Sequence, residues 1–185
     1  MAEAQIVNPE QKLPHESPWS GSNRLLRVLW DFCWFVFCVW TPKPLNEWRL
    51  FWLRVFDAKI HGTPFVHQRA RIALPWNLTM HDRACLGDRA NAYTLGEIEI
   101  RAGAIVAQEA YLSTGSHDFN HPARPLVTAK ITIGEDAFIG ARAFVMPGVS
   151  IGARSVVGAC SVVTRDVPDD VIAAGNPCKV LRTRT

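Results

Sequence analysis

The stretch ITIGED AFIGAR AFVMPG VSIGAR SVVGAC SVVTRD, residues 131–166, repeats every six residues. The third place of each hexad holds a large apolar residue: Ile133, Ile139, Val145, Ile151, Val157 and Val163. The first place is mostly small: Ile131, Ala137, Ala143, Val149, Ser155 and Ser161. A helix would repeat every three or four residues and an ordinary strand every two. A period of six predicts a very short strand followed by a corner, where Gly or another turn former adopts the unusual backbone angles.

Three such strands close a triangular coil, and coils must stack with capped ends because no coil buries its own face. The same phase occurs earlier, with a two-residue insertion near YTLGE (93–97), at Leu74, Met80, Leu86, Ile100, Val106 and Leu112. Between Leu112 and Ile133 the rhythm breaks. The fold class is therefore predicted to be an all-β solenoid, a parallel β-helix, with residues 113–130 as one coil loosened into a loop.

The N-terminal third has a different character, because six of the seven tryptophans precede residue 53. Residues 1–62 are predicted to be a polar leader and an aromatic-rich helical segment, and residues 63–185 the repeat domain. LLRVLWDFCWFVFCVW (25–40) predicts an apolar helix, and NEWRLFWLRVFDAKIHG (46–62) an amphipathic helix with Arg49 and Arg54 toward water.

Two interpretations of this helical hairpin remain open: it caps the open end of the β-helix, or it lies at a membrane interface. The uncharged stretch between Asp31 and Lys43 is shorter than the roughly 20 residues that a membrane span needs. In the second interpretation residues 25–56 make peripheral membrane contact, which would suit a lipid-linked acceptor. Trp30, Trp34 and Trp40 would then lie at headgroup level, with Arg24, Arg27 and Lys43 beside anionic lipid.

Composition limits the classes of ligand and the cellular compartment that we expect for this protein. The formal net charge is +3, and 15 of the 20 basic residues are Arg, whose guanidinium suits phosphate and carboxylate groups. Nucleic acid is not expected, because no basic run is interleaved with aromatic residues. The five cysteines are scattered and form no C-x-x-C pair, which is typical of a reducing cytoplasm rather than of a disulfide framework or zinc knuckle.

Several motifs within residues 45–183 resemble the hexapeptide-repeat acyltransferases: YTLGEIEI, AYLSTGSHDFNHPARP, PGVSIGA, GACSVVTRDVP and AAGNPCKVL. They are most similar to the branch of the colanic acid biosynthesis acetyltransferases, and more distantly to galactoside and maltose O-acetyltransferases. The resemblance implies a left-handed parallel β-helix with an N-terminal helical hairpin and a short C-terminal cap. It also implies a homotrimer with active sites between subunits, and an O-acetyltransferase that moves acetyl from acetyl-CoA to a saccharide in exopolysaccharide or cell-surface glycan biosynthesis.

The same resemblance implies that His117, in TGSHDF, is the general base for direct attack on the thioester, without an acyl-enzyme. An imidazole titrates near neutral pH, which suits this role. Thr94 stands where relatives often have an Asn that helps to hold the acceptor sugar. Asp118, His121 and Arg124 share the loop and are candidates for acceptor contact. Asp118 could instead cap a turn or orient an imidazole, and His121 could simply support the loop.

The resemblance further implies two sets of acetyl-CoA contacts. Pantetheine would lie along Ala141 and Ala159. The phosphates and adenine would contact Thr164, Arg165, Lys179 and Arg182. Cations beside phosphates form the stronger hydrogen bonds, but these charged residues could also be a solubilising cap on the last coil.

Two rival functions share the fold. A gamma-type carbonic anhydrase-like metalloenzyme would use His81, His117 and His121, although the spacing of the last two within an interrupted loop argues against it. A non-catalytic trimeric scaffold would need none of the candidate residues. The acetyltransferase interpretation requires no metal.

Overall fold

A computed structural model describes residues 4–8 and 18–185 of the chain, and the remainder of the predicted polar leader lies outside the described residues. The described residues form twenty short strands and two α-helices, α1 (Gly21–Phe37) and α2 (Asn46–Val55). Single 3-10 turns lie at Lys43–Leu45 and Pro75–Asn77. Three parallel sheets make the faces of a triangular prism.

Each face collects one strand from every coil. Face 1 contains β2 (Lys59–Ile60), β5 (Leu78–Met80), β8 (Ile98–Ile100), β13 (Ile131–Ile133) and β16 (Ser150–Ile151). Face 2 contains β3 (Phe65–Val66), β6 (Cys85–Leu86), β9 (Ile105–Val106), β14 (Phe138–Ile139), β17 (Val156–Val157) and β19 (Val171–Ala174), with β20 (Lys179–Thr183) antiparallel at its end. Face 3 contains β4 (Arg71–Ile72), β7 (Asn91–Tyr93), β10 (Tyr111–Ser113), β15 (Phe144–Val145) and β18 (Val162–Val163).

The predicted hexad pattern is confirmed by burial. All third-place side chains of residues 131–166 are at most 2% exposed, and all first-place side chains at most 1%. Successive coils align these positions, so that Ile133 lies in register with Ile100 on one side and Ile151 on the other. The prism interior is therefore filled by columns of apolar side chains. Burial of their apolar surface is the main favourable free-energy term in folding.

The glycines of the hexads have a different role from the predicted one. A Cβ on Gly140 would lie 2.5 Å from the backbone nitrogen of Ala159, and one on Gly134 would lie 2.6 Å from that of Ala153. Glycine is required there because successive coils approach too closely for a side chain. The left-handed backbone angle belongs to the sixth place of the hexad, at Asp136, Arg142, Gly148, Arg154 and Cys160.

We expect Gly140→Ala to destabilise the protein by about 1–3 kcal/mol, because the new methyl group overpacks backbone that cannot move freely. Gly21→Ala is the matched control, since a Cβ there would meet nothing within 4 Å. Chemical denaturation of both variants measures the difference. Equal stability would show that the coils can separate to accept a side chain.

The first coil begins in a different phase from the predicted one. Ile72, not Leu74, occupies the inward position, because Ile72 pairs in register with Ala92. Leu74 instead packs with Leu95 and Leu126 in a second, smaller apolar cluster. A two-residue insertion after Ile72 shifts the pattern, in the same way as the one that was predicted near residues 93–97.

Residues 113–130 do not form the predicted loosened coil. Ile100 pairs directly with Ile133, so face 1 continues without a missing strand. The intervening residues leave the corner between face 3 and face 1 as an antiparallel pair, β11 (Gly115–His117) with β12 (Leu126–Thr128). β1 (Gln5–Ile6) adds to the other edge of β12. We call the segment 113–130 the loop hairpin.

The helical hairpin caps the first coil, as one of the two interpretations predicted. The indole Nε1–H of Trp30 donates to the Ile72 carbonyl at 2.8 Å, and Arg49 Nε–H donates to the Val66 carbonyl at 2.8 Å. Asn46 accepts from the Val66 N–H at 3.0 Å. These bonds satisfy strand edges that would otherwise lack partners.

The amphipathic pattern predicted that Arg49 points toward water, but the structure shows it fully buried. Its guanidinium also donates to Thr41 Oγ1 at 2.9 Å, Pro42 O at 3.0 Å and Lys43 O at 2.9 Å. A buried guanidinium with several acceptors is tolerable because its donors are satisfied. Arg49 thereby ties the turn between the helices to the first coil.

The second helix is shorter than predicted. It ends at Val55, and Asp57 adopts a φ of 63° before the first strand, Lys59–Ile60. The boundary drawn after residue 62 therefore falls inside the first coil. Apolar residues of both helices belong to the same buried cluster as the prism interior, so the helices and coils share one core.

The predicted interfacial role of the tryptophans is wrong for two of them. Trp30 and Trp34 are only 1% and 8% exposed, because they pack onto the first coil. Trp40 is 74% exposed, and Phe32 and Phe35 are also exposed. In the part of the chain that the structure describes, no helix is long and apolar enough to cross a membrane.

Candidate active site

His117 stands at the end of β11, with its side chain exposed on the loop hairpin. Its Nδ1 lies 2.8 Å from the carbonyl oxygen of Arg124. A carbonyl can only accept, so Nδ1 carries the hydrogen and Nε2 is the basic nitrogen. The hairpin thus holds the imidazole in the tautomer that a general base requires.

Asp118 shapes the turn that follows. Its Oδ1 accepts the Asn120 N–H at 2.9 Å, and its own N–H donates to the Pro125 carbonyl at 3.0 Å. This is an Asx turn, in which a short carboxylate replaces a backbone acceptor. Of the three predicted roles, the geometry supports turn capping.

His121 and Arg124 complete the same turn. His121 Nδ1 accepts the Ala123 N–H at 3.2 Å, and the Arg124 N–H donates to the His121 carbonyl at 2.9 Å. Arg124 has a φ of 44°, and it contributes to the site through the carbonyl that holds His117. The Arg124 side chain is exposed and stays a candidate for acceptor contact.

Thr94 is not presented to a ligand. It is fully buried, and its hydroxyl accepts the Leu74 N–H at 2.8 Å and donates to the Leu74 carbonyl at 2.9 Å. The structure therefore does not support the expected sugar contact at this position. Thr94 instead closes the insertion after Ile72, a role that no local pattern in the sequence indicates.

Two residues outside the predicted set anchor the base of the loop hairpin. Thr114 is fully buried, and its hydroxyl donates to the Tyr93 carbonyl at 2.6 Å and accepts the Gly96 N–H at 2.8 Å. On the returning side, Lys130 Nζ lies 2.9 Å from Glu99 Oε2, and this contact holds the pKa of the Glu99 carboxyl below its usual value. Both ends of the hairpin are thereby fixed to the prism.

Ala141 and Ala159 stack at the corner between face 2 and face 3. The Cys160 N–H donates to the Ala141 carbonyl at 2.9 Å, which fixes the spacing of the two turns. Within residues 4–8 and 18–185, no acceptor bonds the N–H of either alanine. Backbone donors without a partner in the chain can bind the amide groups of an extended ligand.

The predicted phosphate contacts lie on the last coil. Thr164 and Arg165 follow β18, and Lys179 and Arg182 belong to β20, all of them exposed. The Cys178 N–H donates to the Val162 carbonyl at 2.8 Å, which holds the start of β20 over β18. None of the three cations forms a salt bridge within the described ranges, so all three can pair with an external anion.

The predicted site residues do not all meet in one chain. The loop hairpin leaves the corner between faces 3 and 1, whereas Ala141 and Ala159 occupy the corner between faces 2 and 3. His81 lies elsewhere, with Nε2 3.5 Å from Glu99 Oε1 and its ring stacked on His61. Across the described part of the chain, no cluster of three or more metal-ligating side chains is present.

Comparison with known proteins identifies the family. Residues 130–165 match the family model Bacterial transferase hexapeptide (six repeats). A candidate colanic acid biosynthesis acetyltransferase of Escherichia coli (strain K12) is 41% identical over 164 residues, which cover 89% of this chain and 90% of that protein. The chain therefore belongs to the hexapeptide-repeat acetyltransferase family.

Solved structures confirm the left-handed parallel β-helix. A maltose O-acetyltransferase from Clostridium difficile 630 superposes with a TM-score of 0.77 at 24% identity, over 90% of each chain. A hexapeptide-repeat acetyltransferase from Vibrio cholerae O1 biovar eltor, complexed with acetyl coenzyme A, superposes with a TM-score of 0.80 at 23% identity. That match covers 92% of this chain and 93% of the other.

We expect Asp118→Asn to preserve the turn and Asp118→Ala to open it, because only the former retains an acceptor for the Asn120 N–H. Hydrogen exchange of peptides that cover residues 113–130 measures the difference. If these peptides exchanged as fast in Asp118→Asn as in Asp118→Ala, the negative charge of Asp118, rather than its role as an acceptor, would be what stabilises the turn.

Proposed function

We propose that this protein is an O-acetyltransferase that moves acetyl from acetyl-CoA to a saccharide hydroxyl, in exopolysaccharide or cell-surface glycan biosynthesis. The observation that carries the proposal is the contact between His117 Nδ1 and the Arg124 carbonyl, which leaves Nε2 as a base on an exposed hairpin. The names of the relatives support the reaction and the substrate class, and the Vibrio cholerae structure was obtained with acetyl coenzyme A.

In the proposed mechanism Nε2 of His117 accepts the proton of the acceptor hydroxyl as its oxygen attacks the thioester carbon. The tetrahedral intermediate collapses, the C–S bond breaks, and the imidazolium returns the proton to the departing CoA sulfur. The acetyl group moves in one displacement, so no side chain is acetylated. A positioned general base contributes about a hundred- to ten-thousandfold to such a reaction.

Acetyl-CoA is proposed to lie along the corner of Ala141 and Ala159. Their unpaired N–H groups would bind the amide carbonyls of pantetheine. Arg165, Lys179 and Arg182 would neutralise the phosphates, for which charge-assisted hydrogen bonds are suited. None of these three cations forms a salt bridge among the described residues, which supports this role over that of a solubilising cap.

The active site is proposed to form between two subunits of a homotrimer. We call the corner that carries Ala141 and Ala159 the alanine corner. Because it and the loop hairpin lie at different corners of one prism, a hairpin from one chain would meet the alanine corner of the next.

We further propose that the protein is cytoplasmic and contacts the inner face of the membrane through residues 25–56. A lipid-linked acceptor would be reached most easily in that arrangement.

We expect thiol release from acetyl-CoA to depend on a saccharide acceptor and on His117. The assay compares free, nucleotide-linked and polyprenyl-linked sugars, with His117→Ala beside wild type. The variant should lose about a hundred- to ten-thousandfold in kcat and keep its affinity for CoA. His61→Ala is the matched control, since it removes an exposed imidazole at the corner between faces 1 and 2 rather than on the loop hairpin. Ping-pong kinetics or an acetylated cysteine would contradict the direct mechanism.

We expect two inactive variants to complement each other if the site lies between subunits. His117→Ala removes the base, and Ala159→Glu places a carboxylate in the proposed pantetheine path. Mixed trimers, co-expressed with two tags, should regain activity at interfaces that pair an intact hairpin with an intact alanine corner. Mixed trimers without activity would mean that each chain builds its site alone.

A further inference from the structure

A groove of about 520 Å³ lies between α1 and the first two coils, at the edge of face 3. Four arginines line it: Arg27 from the helix, and Arg69, Arg71 and Arg89 from the coils. Its apolar wall includes Trp34 and Phe35 of α1. We call this site the arginine groove.

The charges of the arginine groove are incompletely neutralised. Arg69 lies 2.6 Å from Asp88, and Arg89 lies 3.9 Å from Glu109. Arg27 and Arg71 have no carboxylate within 4.0 Å in the described part of the chain. Guanidinium groups gathered in a groove create a positive potential and match the geometry of a phosphate.

Asp31 is the one carboxylate among the described residues that line the groove. Burial raises the pKa of the Asp31 carboxyl, and the charge of Arg27 opposes this shift. Four arginines set against Asp31, Asp88 and Glu109 leave the groove with an excess of one positive charge. The groove is therefore suited to an anion.

The arginine groove continues into a large exposed apolar surface. Phe35 belongs to both, and is 58% exposed. Phe32 and Trp40 are 60% and 74% exposed, and Phe51 and Val55 of α2 are 50% and 55% exposed. The rings of Phe35 and Trp40 contact each other, with centroids 6.0 Å apart, and grouped exposed apolar side chains mark an interaction site. A small soluble anion would not contact it, whereas an amphiphile with a phosphate head would fit both parts.

We propose that the arginine groove binds the phosphate of an anionic phospholipid while the exposed apolar side chains of α1 and α2 enter the bilayer interface. Aromatic and aliphatic side chains on one side of a helix, with cations nearby, are the features of interfacial binding. The proposal rests on the proposed membrane contact of residues 25–56 and names its ligand, but it is independent of the transfer chemistry.

The position of the groove gives membrane docking a consequence for the active site. Tyr93 lines the groove, and its carbonyl accepts the Thr114 hydroxyl at the base of the loop hairpin. A Cβ on Gly115 would lie 3.6 Å from the Tyr93 ring. A phospholipid whose phosphate is bound in the groove would therefore lie next to the hairpin that carries His117.

Sedimentation with vesicles tests the proposal. Phosphatidylcholine vesicles with and without phosphatidylglycerol are compared for the full chain and for Arg27→Gln/Arg71→Gln. Cations near an anionic membrane contribute about 1 kcal/mol each, so this variant should bind about thirtyfold more weakly. Arg83→Gln/Arg101→Gln is the matched control, because it removes the same charge at the corner between faces 1 and 2. Equal losses of vesicle affinity in the two variants would mean that binding is general electrostatic attraction, and would contradict a specific site in the arginine groove.

A second variant and a competitor exclude the other occupants. Phe32→Ser/Phe35→Ser should lose vesicle binding and keep the oligomeric state of the wild type in sedimentation velocity. Dissociation of the oligomer would instead identify the apolar surface as a contact between copies of the chain. Pyrophosphate that displaces the protein from vesicles at concentrations too low to screen general charge would indicate a soluble anion as the ligand.

Binding of CoA, measured on the same preparations, separates this proposal from the proposed function. Groove variants should keep CoA affinity within about threefold, because the arginine groove and the last coil are distinct sites. A protein that binds phosphatidylglycerol vesicles through the groove but lacks transfer activity would support the docking site alone. A protein that transfers acetyl groups but shows no preference for anionic vesicles would overturn the docking site alone.

Discussion

Parallel backbone pairing between successive coils is the constraint on which the structure depends. At Gly140 the next coil approaches so closely that a methyl group would lie 2.5 Å from a backbone nitrogen. This close stacking buries the third-place side chains in columns and turns a six-residue repeat into a rigid prism. It also leaves strand edges open at both ends, and an open edge must find other hydrogen-bond partners.

Both ends of the prism meet that requirement with polar groups that replace a missing coil. At the first coil, Trp30 and Arg49 donate to strand carbonyls, which is why Arg49 can be buried without a carboxylate. At the last coils, Ser155 and Ser161 stand in the first place of the hexad, where Ala stands at 137 and 143. Their hydroxyls accept the N–H groups of Val171 and Gly175. The same end carries the cations of the proposed phosphate site.

The rigid prism also determines how the candidate site is built. The loop hairpin can leave the corner because β8 and β13 pair without it, so the solenoid keeps its register while His117 extends outward. Thr114 and Lys130 fix the hairpin at its two ends, and the Arg124 carbonyl fixes the imidazole. The alanine corner and the loop hairpin remain on different corners, which is the geometric reason for proposing a shared site between subunits. The helices that cap the other end meanwhile present an apolar surface beside the arginine groove.

The sequence by itself determined the solenoid, because a hexad pattern reports directly which side chains face the interior, and residues such as Ile133 and Val157 are buried as predicted. It also located the interruption that carries His117. Only the tertiary structure determined where the side chains of Leu74, Arg49 and Thr94 lie and what they contact. A buried polar group is satisfied by partners far along the chain, as Thr94 is by Leu74 and Arg49 by Val66, and periodicity contains no information about such pairs. For the same reason the sequence could name Asp118 as a cap or an orienting group, while only the folded turn, with Asn120 bound to its carboxylate, distinguished between them.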